Sequence, residues 1–302
     1  MTENIPDAFS QLSAALSEQA ASGGRLVAEI RMRGRPPRSG TLWRRDVVIA
    51  SEQALPDIAE GEIALAAGGT FAARLAGRDR GTNIAVLKLE GGPEPASQPA
   101  VGEPQPGALV LVLAADGAGG VAARLGAVHS VGPVWHSRAG GRIDRRINLD
   151  IRLGEREEGG PVHDAAGGLL GISTLGPRRR VLVIPAATIE RVLDPLLTTG
   201  RIARGWLGAA VQPVLVPEAL RGEAGQSLGL MVIGVTPDGP AAQAGMLMGD
   251  ILVAVDSEGV GSPSQLAERL GPEAVGRQVQ LRLIRAGRIE ALAAMVGARP
   301  GR

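Results

Sequence analysis

The sequence predicts a mainly β protein, with two consecutive β-barrels followed by a smaller α+β domain. Three observations support this fold class. Short segments of alternating apolar residues, separated by Gly- or Pro-bearing turns about every ten residues, run from residue 25 to residue 184. The 302 residues suffice for about two domains with separate cores. Beyond residue 200, strand patterns surround a helix with clear start signals.

Residues 1–22 predict an amphipathic helix that ends at the Ser-Gly-Gly sequence of residues 22–24. Pro6 and Asp7 are typical of a helix start. The apolar side chains of one helical face are Ile5, Phe9, Leu12, Leu16 and Ala20. We expect this stripe to pack on the adjoining barrel, and the alternative is another subunit.

Residues 23–200 predict the two barrels. The expected strands of the first barrel cover residues 26–32, 40–43, 47–50, 62–65, 71–75 and 84–89. A loop at residues 91–95 precedes a second strand set, which runs from residue 108 to residue 184. A closing helix is expected at residues 188–197, and Pro195 should kink or shorten it.

Residues 201–302 predict the α+β domain. Its helix is expected at about residues 264–270, with Ser262 as the N-cap and Pro263 at the first helical position. Two further segments stand out by their sequence, residues 237–246 (PDGPAAQAGM) and residues 249–256 (GDILVAVD).

The composition excludes several classes of function. Lys and Arg number 32 against 31 Asp and Glu, so the balance does not favour binding to nucleic acid or to an anionic membrane. The absence of cysteine excludes disulfides, thiol catalysis and thiolate metal sites. No apolar stretch has the roughly 20 residues of a membrane span, and residues 1–21 lack the pattern of a secretory signal. We therefore expect a cytoplasmic protein without a cofactor.

Residues 156–162 (REEGGPV) form a Gly-Gly-Pro turn, and residues 163–173 (HDAAGGLLGIS) follow it as a hairpin. This run resembles the Gly-x-Ser-Gly-Gly-Pro hairpin of trypsin-fold serine proteases of the HtrA/Deg type. The likeness covers roughly residues 25 to 300, and it implies that the two barrels form a trypsin-like domain. In that family the catalytic serine directly precedes the Gly-Gly pair, and here that residue is Glu158.

The resemblance also implies where the other catalytic positions lie. The family histidine belongs to a T-N-x-H-V segment, and the matching residues 47–55 (VVIASEQAL) place Gln53 there. The family aspartate opens a strand that matches residues 83–88 (NIAVLK), so Asn83 takes its place. Arg156 replaces the glycine of the oxyanion loop, two residues before Glu158.

These replacements remove the chemistry of a serine protease, which needs a hydroxyl nucleophile, an imidazole base and a carboxylate. Gln53 takes up no proton near neutral pH, and Asn83 has no imidazole to orient. Glu158 is a weak nucleophile toward an amide, and its charge opposes the oxyanion. Ser51 is two residues from Gln53, and strand alternation predicts that it points differently. We therefore predict a pseudoprotease with no intact catalytic residue.

Neighbouring polar residues offer no replacement site. His163 and Asp164 are expected in an exposed hairpin turn. Together with these two residues, Glu155, Glu157 and Glu158 form an acidic run without a known metal-ligand spacing. The sequence therefore predicts a charged loop and no metal site.

The third unit resembles the PDZ domain of HtrA proteases through its P-x-x-P-A-x-x-A-G and G-D-x-[IL] segments. PDZ domains bind an extended peptide C-terminus as an added strand. The resemblance implies that the loop of residues 206–209, Trp206, Leu207, Gly208 and Ala209, holds the terminal carboxylate. Arg204 is expected as a second anchor for that carboxylate.

Two leucines four residues apart on the expected helix, Leu266 and Leu270, should line the pocket for the last side chain of the peptide. The alternative is that these leucines and Trp206 belong to the core of the domain.

The sequence thus predicts an HtrA-like pseudoprotease that binds peptide C-termini as a regulatory or scaffold subunit. Two alternatives stay open: a functional HtrA/Deg-type serine endopeptidase in protein quality control, and a chaperone-like partner of an active paralogue. The expected partners are peptide C-termini and an active HtrA-like paralogue. The resemblance also implies an oligomer, with a trimer favoured.

Overall fold

The computed structural model describes residues 5–56, 60–93, 100–137, 139–176 and 179–299. It divides the chain into two compact units, Met1–Arg201 and Ile202–Arg302. The first unit contains two closed six-stranded barrels, and the second contains a six-stranded sheet with short helices. The predicted fold class, a mainly β double barrel followed by an α+β domain, is confirmed. Within the described residues, no helix combines the length and the apolar character needed to cross a membrane.

Helix α1 (Ile5–Gly24) ends where the sequence predicts. Its Leu16 and Ala20 pack against the first unit, as expected for a helix that docks on its own domain. The buried side chains beneath them are Val27, Leu111, Leu113 and Ala115. Farther toward the N-terminus, Phe9 is 69% exposed and Leu12 is also exposed. The side chain of Ile5, also predicted for this stripe, lies outside the described residues.

The first barrel has the strand order β1-β2-β3-β6-β5-β4. Its strands are β1 (Val27–Arg31), β2 (Arg38–Arg44), β3 (Val47–Ser51), β4 (Glu60–Leu65), β5 (Thr70–Asp79) and β6 (Ile84–Leu89). Each overlaps a predicted strand, because the alternating apolar residues supply the interior. The fully buried interior side chains include Ile30, Val48, Ile63 and Leu87.

The second barrel has the strand order β11-β14-β13-β12-β7-β8. Its elements include β7 (Leu109–Ala115), β8 (Val121–Gly132), a small hairpin of β9 (Trp135–His136) and β10 (Arg142–Ile143), β11 (Arg146–Asp150), β12 (Pro161–Asp164), β13 (Leu169–Leu175) and β14 (Val181–Pro185). Buried interior residues include Val112, Ile147, Val162 and Val183.

Helix α2 (Ala186–Thr199) closes the first unit and contains Pro195. The expected shortening at Pro195 is wrong, because the helix continues to Thr199. The Thr198 and Thr199 hydroxyls donate to the carbonyl oxygens of Asp194 (2.9 Å) and Pro195 (2.8 Å). Gly200, with φ 73°, then ends the helix in the left-handed conformation that favours glycine.

The second unit contains β15 (Gly205–Trp206), β16 (Ala209–Leu215), α3 (Arg221–Ala224), β17 (Leu228–Val235), α4 (Pro240–Gln243), β18 (Ile251–Val255), β19 (Glu258–Gly259), α5 (Pro263–Arg269), β20 (Gln278–Arg285), β21 (Arg288–Met295) and β22 (Gly297–Ala298). The main sheet has the order β16-β17-β18-β20-β21, so β16 is an edge strand. Ser262 caps α5 as predicted, since its hydroxyl accepts from the Gln265 backbone N–H at 3.3 Å.

Asp250, in the Gly-Asp segment of the second unit, has a structural role. Its buried carboxylate accepts from the Leu247 backbone N–H at 2.8 Å and from two guanidinium nitrogens of Arg285, at 2.9 and 2.7 Å. This aspartate therefore holds the turn before β18 against β20, and its role is structural.

Candidate functional site

The three residues that the sequence analysis matched to a catalytic triad meet in the first unit. Gln53 lies on a short 3-10 turn after β3, Asn83 directly precedes β6, and Glu158 lies in the turn before β12. The Gln53 Nε2 lies 2.6 Å from the Glu158 Oε1, and the Gln53 backbone N–H donates to the Asn83 Oδ1 at 2.8 Å. The structure thus brings together the three residues chosen from the sequence.

The Glu158 carboxylate is the centre of a buried hydrogen-bond network. Its residue is only 5% exposed, and one of its oxygens, Oε1, accepts from four donors. The donors are the Ser51 Oγ (2.8 Å), the Gln53 Nε2 (2.6 Å), the Thr174 Oγ1 (2.7 Å) and the Leu175 backbone N–H (3.1 Å). Charge-assisted hydrogen bonds of this kind compensate the desolvation of a buried carboxylate. We call the set of Ser51, Gln53, Asn83, Glu158 and Thr174 the Glu158 network.

Asn83 sets the direction of the hydrogen bonds in this network. Its Oδ1 accepts from the Gln53 backbone N–H, so its Nδ2 must face the two hydroxyls, Ser51 Oγ at 3.0 Å and Thr174 Oγ1 at 2.7 Å. Each hydroxyl has one proton and donates it to Glu158. An amide can donate to both hydroxyls at once, whereas an aspartate at this position would compete with Glu158 for their protons.

Ser51 and Thr174 are the members of the network that the sequence analysis missed. The prediction that Ser51 points away from Gln53 is wrong, because both side chains donate to the Glu158 Oε1. Residues two apart in a strand share a face, so strand alternation does not separate them. Thr174 lies on β13, far from the other members in sequence. No local pattern indicates this pairing, because it depends on the approach of the two barrels.

The backbone of this turn is packed so closely that both positions of its Gly-Gly pair require glycine. Gly159 has φ 98°, and a side chain there would place its Cβ 2.4 Å from the Ser39 carbonyl oxygen. A Cβ on Gly160 would meet the Leu113 carbonyl oxygen. The neighbouring Arg156 has an exposed side chain, and its carbonyl accepts from the Ser39 backbone N–H (2.9 Å) and hydroxyl (2.7 Å).

The acidic run lies in a turn, as the predicted charged loop requires, but two of its acidic residues are buried. Glu158 is buried in the network, and Glu157 is buried beside it. The Glu157 carboxylate accepts from the Arg124 Nε at 2.6 Å and from the Gly154 backbone N–H at 2.6 Å. Glu155 remains exposed, with Arg179 at 3.5 Å. The donors that enclose Glu157 and Glu158 come from other strands and turns, so the acidic run itself does not reveal them.

The prediction of an exposed turn histidine is also wrong. His163 is 3% exposed and lies on β12, because the strand continues to Asp164 and the turn begins after it. Its Nδ1 lies 3.2 Å from the Gly167 carbonyl oxygen, which indicates the Nδ1–H tautomer. Within the described residues, its Nε2 is buried without a hydrogen-bond partner. Burial lowers the pKa of His163, against smaller opposing effects of the Gly167 carbonyl and the Asp164 charge.

A cavity of about 580 Å³ lies beside the Glu158 network. Gln53, Asn83 and Thr174 form part of its polar wall, and Trp135, Ile143 and Leu182 form part of its apolar wall. A cavity with mostly apolar walls and a few convergent polar groups is typical of a binding site.

The loop of residues 206–209 leads directly into the edge strand β16. Gly208 has φ 79°, and its carbonyl accepts from the Thr236 N–H at 2.7 Å. The buried Leu207 carbonyl accepts from the Ala241 N–H at 2.6 Å. Trp206 and Arg204 are half-buried on the N-terminal side of this loop, and Ala209 begins β16.

Leu266 and Leu270 lie in the core of the second unit, 8% and 6% exposed, together with Leu207. Leu266 is on α5, and Leu270 follows the last helical residue. This burial agrees with the alternative interpretation of these leucines as core residues. Their role in a ligand pocket stays a prediction.

Comparisons with known proteins match both units. Residues 38–172 match the trypsin-like peptidase domain family, and residues 205–296 match the PDZ domain family. A probable periplasmic serine endoprotease DegP-like from Brucella suis is 32% identical over 166 residues, which are 53% of this chain and 32% of that protein. Serine endoprotease DegS from Escherichia coli is 28% identical over 232 residues, which are 73% of this chain and 65% of that protein. The alignments thus span about a third of the first curated relatives and almost two thirds of DegS.

Solved structures show the same architecture over nearly the whole chain. The HtrA-type protease AlgW with a decapeptide has a TM-score of 0.76 at 22% identity, covering 95% of this chain and 99% of AlgW. The serine endoprotease from Yersinia pestis also has a TM-score of 0.76 at 22% identity, covering 94% of this chain and 98% of its own. These likenesses support the fold of both units.

The prediction of a cytoplasmic location is wrong. The relatives from Brucella suis and Halomonas elongata are named periplasmic serine endoproteases. The prediction depended on the absence of a signal pattern in residues 1–21, and an absent pattern does not identify a compartment. A chain without cysteine is also compatible with oxidising and reducing surroundings alike.

Proposed function

We propose that this chain, a trypsin-like peptidase domain followed by a PDZ domain, is a catalytically inactive protein of the HtrA/DegS type that acts by binding peptide C-termini. We infer a regulatory or scaffold role from the combination of a blocked catalytic position with an open sheet edge in the PDZ domain. The Glu158 network is the observation that carries the proposal.

The network contains no group that can perform the nucleophilic step. The Gln53 side chain turns its Nε2 toward Glu158 (2.6 Å) and toward the Leu175 carbonyl oxygen (2.7 Å), so it offers donors where a base needs a lone pair. The Glu158 Oε1 already accepts from four donors. Its negative charge also lies where a serine protease would place the nucleophile and stabilise an oxyanion.

The two hydroxyls of the network do not replace the missing serine. Ser51 is fully buried, and Thr174 is almost fully buried. Each gives its only proton to Glu158, which is a carboxylate held in place by other donors. A peptide bond therefore has no access to the Ser51 oxygen, and neither hydroxyl has an imidazole beside it.

The competing function, hydrolysis by a serine endopeptidase, is favoured by the relatives, which are named endoproteases. The two functions differ in one measurable property, a reactive hydroxyl. We expect the full chain to leave casein intact and to resist labelling by a fluorophosphonate probe, while an HtrA-type protease with an intact triad cleaves casein and is labelled under the same conditions. Labelling that disappears in Ser51→Ala would contradict the proposal.

Restoring the triad is a sharper form of this test. The variant Gln53→His/Asn83→Asp/Glu158→Ser should stay inactive, because Arg156 still stands in the loop that must supply the oxyanion donors. Adding Arg156→Gly should permit measurable hydrolysis of a fluorogenic peptide. Loss of one oxyanion donor lowers kcat by about 100- to 1000-fold, which is the gain expected from the fourth change if it repairs that donor. Full activity in the triple variant would show that Arg156 is irrelevant.

Binding is supported by the second unit. Strand β16 is at the edge of its sheet, and the loop of residues 206–209 lies at the N-terminal end of this strand. An added peptide strand with its carboxylate at that loop would use the free backbone groups of β16. Matched peptides with acid and amide C-termini test this role, since only the free acids should bind.

The expected partner in the cell is an active HtrA-like paralogue. Affinity capture of the full chain followed by mass spectrometry should recover a homologue with the catalytic His, Asp and Ser in place. Recovery of a homologue without this triad would contradict the regulatory role.

A further inference from the structure

We propose that Pro213 limits backbone recognition at the β16 edge to the last three residues of a bound peptide. This inference rests on the proposed binding of peptide C-termini. It concerns a property of this chain, a proline within the strand that would receive the peptide.

The direction of each backbone group on β16 follows from its partner strand. The Val232 N–H donates to the Asp250 carbonyl (2.8 Å), and the Val232 carbonyl accepts from the Gly249 N–H (2.8 Å). Val232 therefore turns its backbone groups away from β16. Val211 lies directly opposite Val232. In an antiparallel pair, two opposed residues either exchange both hydrogen bonds or turn away from each other. The backbone groups of Val211 thus face the free edge.

The same alternation holds along the whole strand. At one end the Gly208 carbonyl accepts from the Thr236 N–H (2.7 Å), and at the other end the Val216 N–H donates to the Ser227 carbonyl (2.9 Å). These even-numbered positions face β17. The register shift between positions 210 and 211 adds its extra residue on β17, so the alternation on β16 is uninterrupted. Ala209, Val211 and Pro213 therefore face the free edge.

Pro213 is tolerated in β16 for this reason. A proline has no N–H to donate, and it occurs in strands where that N–H would point away from the ladder. No hydrogen bond between β16 and β17 is lost at Pro213. The residue opposite it, Leu230, turns its backbone groups toward β18. Among the described residues, no strand pairs with β16 on its other side.

The missing N–H of Pro213 affects how a bound peptide can pair with β16. A peptide whose carboxylate is held at residues 206–209 runs antiparallel to β16. Its last residue lies beside Ala209, its third-last residue beside Val211, and its fifth-last residue beside Pro213. The third-last residue can exchange two hydrogen bonds with Val211. The fifth-last residue can donate to the Pro213 carbonyl, but its own carbonyl finds no donor. Beyond the third-last residue, the peptide backbone should therefore gain at most one hydrogen bond, where an uninterrupted strand would offer two.

Fluorescence polarisation on the full chain tests this limit. The probes are labelled free-acid tripeptides that end in Ala, Val, Ile, Leu or Phe, and the same peptides extended by three N-terminal glycines, which add backbone without side chains. For the native chain, we expect the extension to raise the affinity of the best tripeptide by no more than about 5-fold, since only one of the two hydrogen bonds beside position 213 can form.

Pro213→Ala should restore the missing donor. In this variant the gain in affinity from the extension should be about 2- to 10-fold larger than in the native chain, and the tripeptide itself should bind as before. Gln212→Ala is the matched control, because position 212 faces β17 and should leave the length dependence unchanged. Thermal melting checks that both variants are folded.

A measurement on the native chain alone keeps the test independent of the variants. An ester in place of the amide after the fifth-last residue weakens that residue's carbonyl as an acceptor, and we expect no change in affinity. A gain above about 5-fold from the glycine extension, or a clear loss with the ester, would overturn the role of Pro213 while leaving the binding function intact. If free acids bind no better than their amides, the proposed function itself fails.

Discussion

Among single residues, the hydrogen bonds of the Glu158 network run in one consistent direction. The Asn83 amide donates to two hydroxyls, and both hydroxyls donate to the Glu158 carboxylate. Each member has the hydrogen-bonding capacity that its neighbours need. Gln53, Asn83 and Glu158 are therefore compatible with one another, and changing one of them disturbs the others.

Asn83→Asp tests this dependence. The new carboxylate would face two hydroxyls whose protons are already given to Glu158, and two negative charges would lie close together. We expect the free energy of unfolding to fall by about 1–3 kcal/mol, as for an unsatisfied buried polar group. Urea unfolding measures this change. Adding Glu158→Gln should recover part of the loss, which a double-mutant cycle quantifies. Equal stability of Asn83→Asp and the native chain would refute the assigned bond direction.

At the scale of elements, the docking of α1 brings together residues distant in sequence. Leu16 and Ala20 pack over β7, and a Cβ on Gly23 would lie 2.8 Å from the His163 Nε2. The glycine at the end of α1 thus allows the helix to approach β12. His163 in turn lies beneath the helix end as a neutral imidazole, with no acceptor for a second proton among the described residues.

This contact predicts a pH dependence of stability. Burial lowers the pKa of His163 in the folded chain. In the unfolded chain His163 has its ordinary pKa of about 6.5, so as the pH falls the unfolded chain takes up the proton before the folded chain does. The unfolded state then holds more protons, so its free energy falls relative to the folded state. The stabilising contribution is therefore complete above about pH 6.5 and is lost as the pH falls toward the folded-state pKa, by at most about 1.4 kcal/mol per pH unit.

His163→Gln is the control for this dependence, because glutamine can donate to the Gly167 carbonyl but does not titrate. Urea midpoints at pH 8 and pH 5.5 should differ less in the variant than in the native chain. The same pH slope in both proteins would mean that other groups cause the acid sensitivity.

At the scale of the whole molecule, the exposed part of α1 suggests how copies associate. Phe9 and Leu12 lie exposed on the N-terminal half of the helix. We expect the full chain to have the mass of a trimer by multi-angle light scattering. Phe9→Ser/Leu12→Ser should shift it to the monomer, since each buried apolar side chain contributes about 1.5–3 kcal/mol. Gln11→Ser, an exposed polar position on the same helix, should leave the trimer intact. A monomeric full chain would exclude this association.

The amino-acid sequence alone predicted the fold class, the capped helix α5 and the proximity of Gln53, Asn83 and Glu158, while the match of these three to a catalytic triad stays a prediction. These features depend on local signals, namely the alternation of apolar residues, Ser262 before Pro263, and the Gly-Gly pair after Glu158. Such signals can be interpreted without knowledge of distant contacts, because each reflects the backbone geometry of a few neighbouring residues.

The environments of Glu157, Glu158 and His163 depend on tertiary contacts. All three are polar residues in a segment that local composition assigns to solvent. Their partners, Arg124, Thr174 and the end of α1, approach from distant parts of the chain. Burial and hydrogen bonding depend on this three-dimensional approach, and the sequence pattern around a residue contains no record of it.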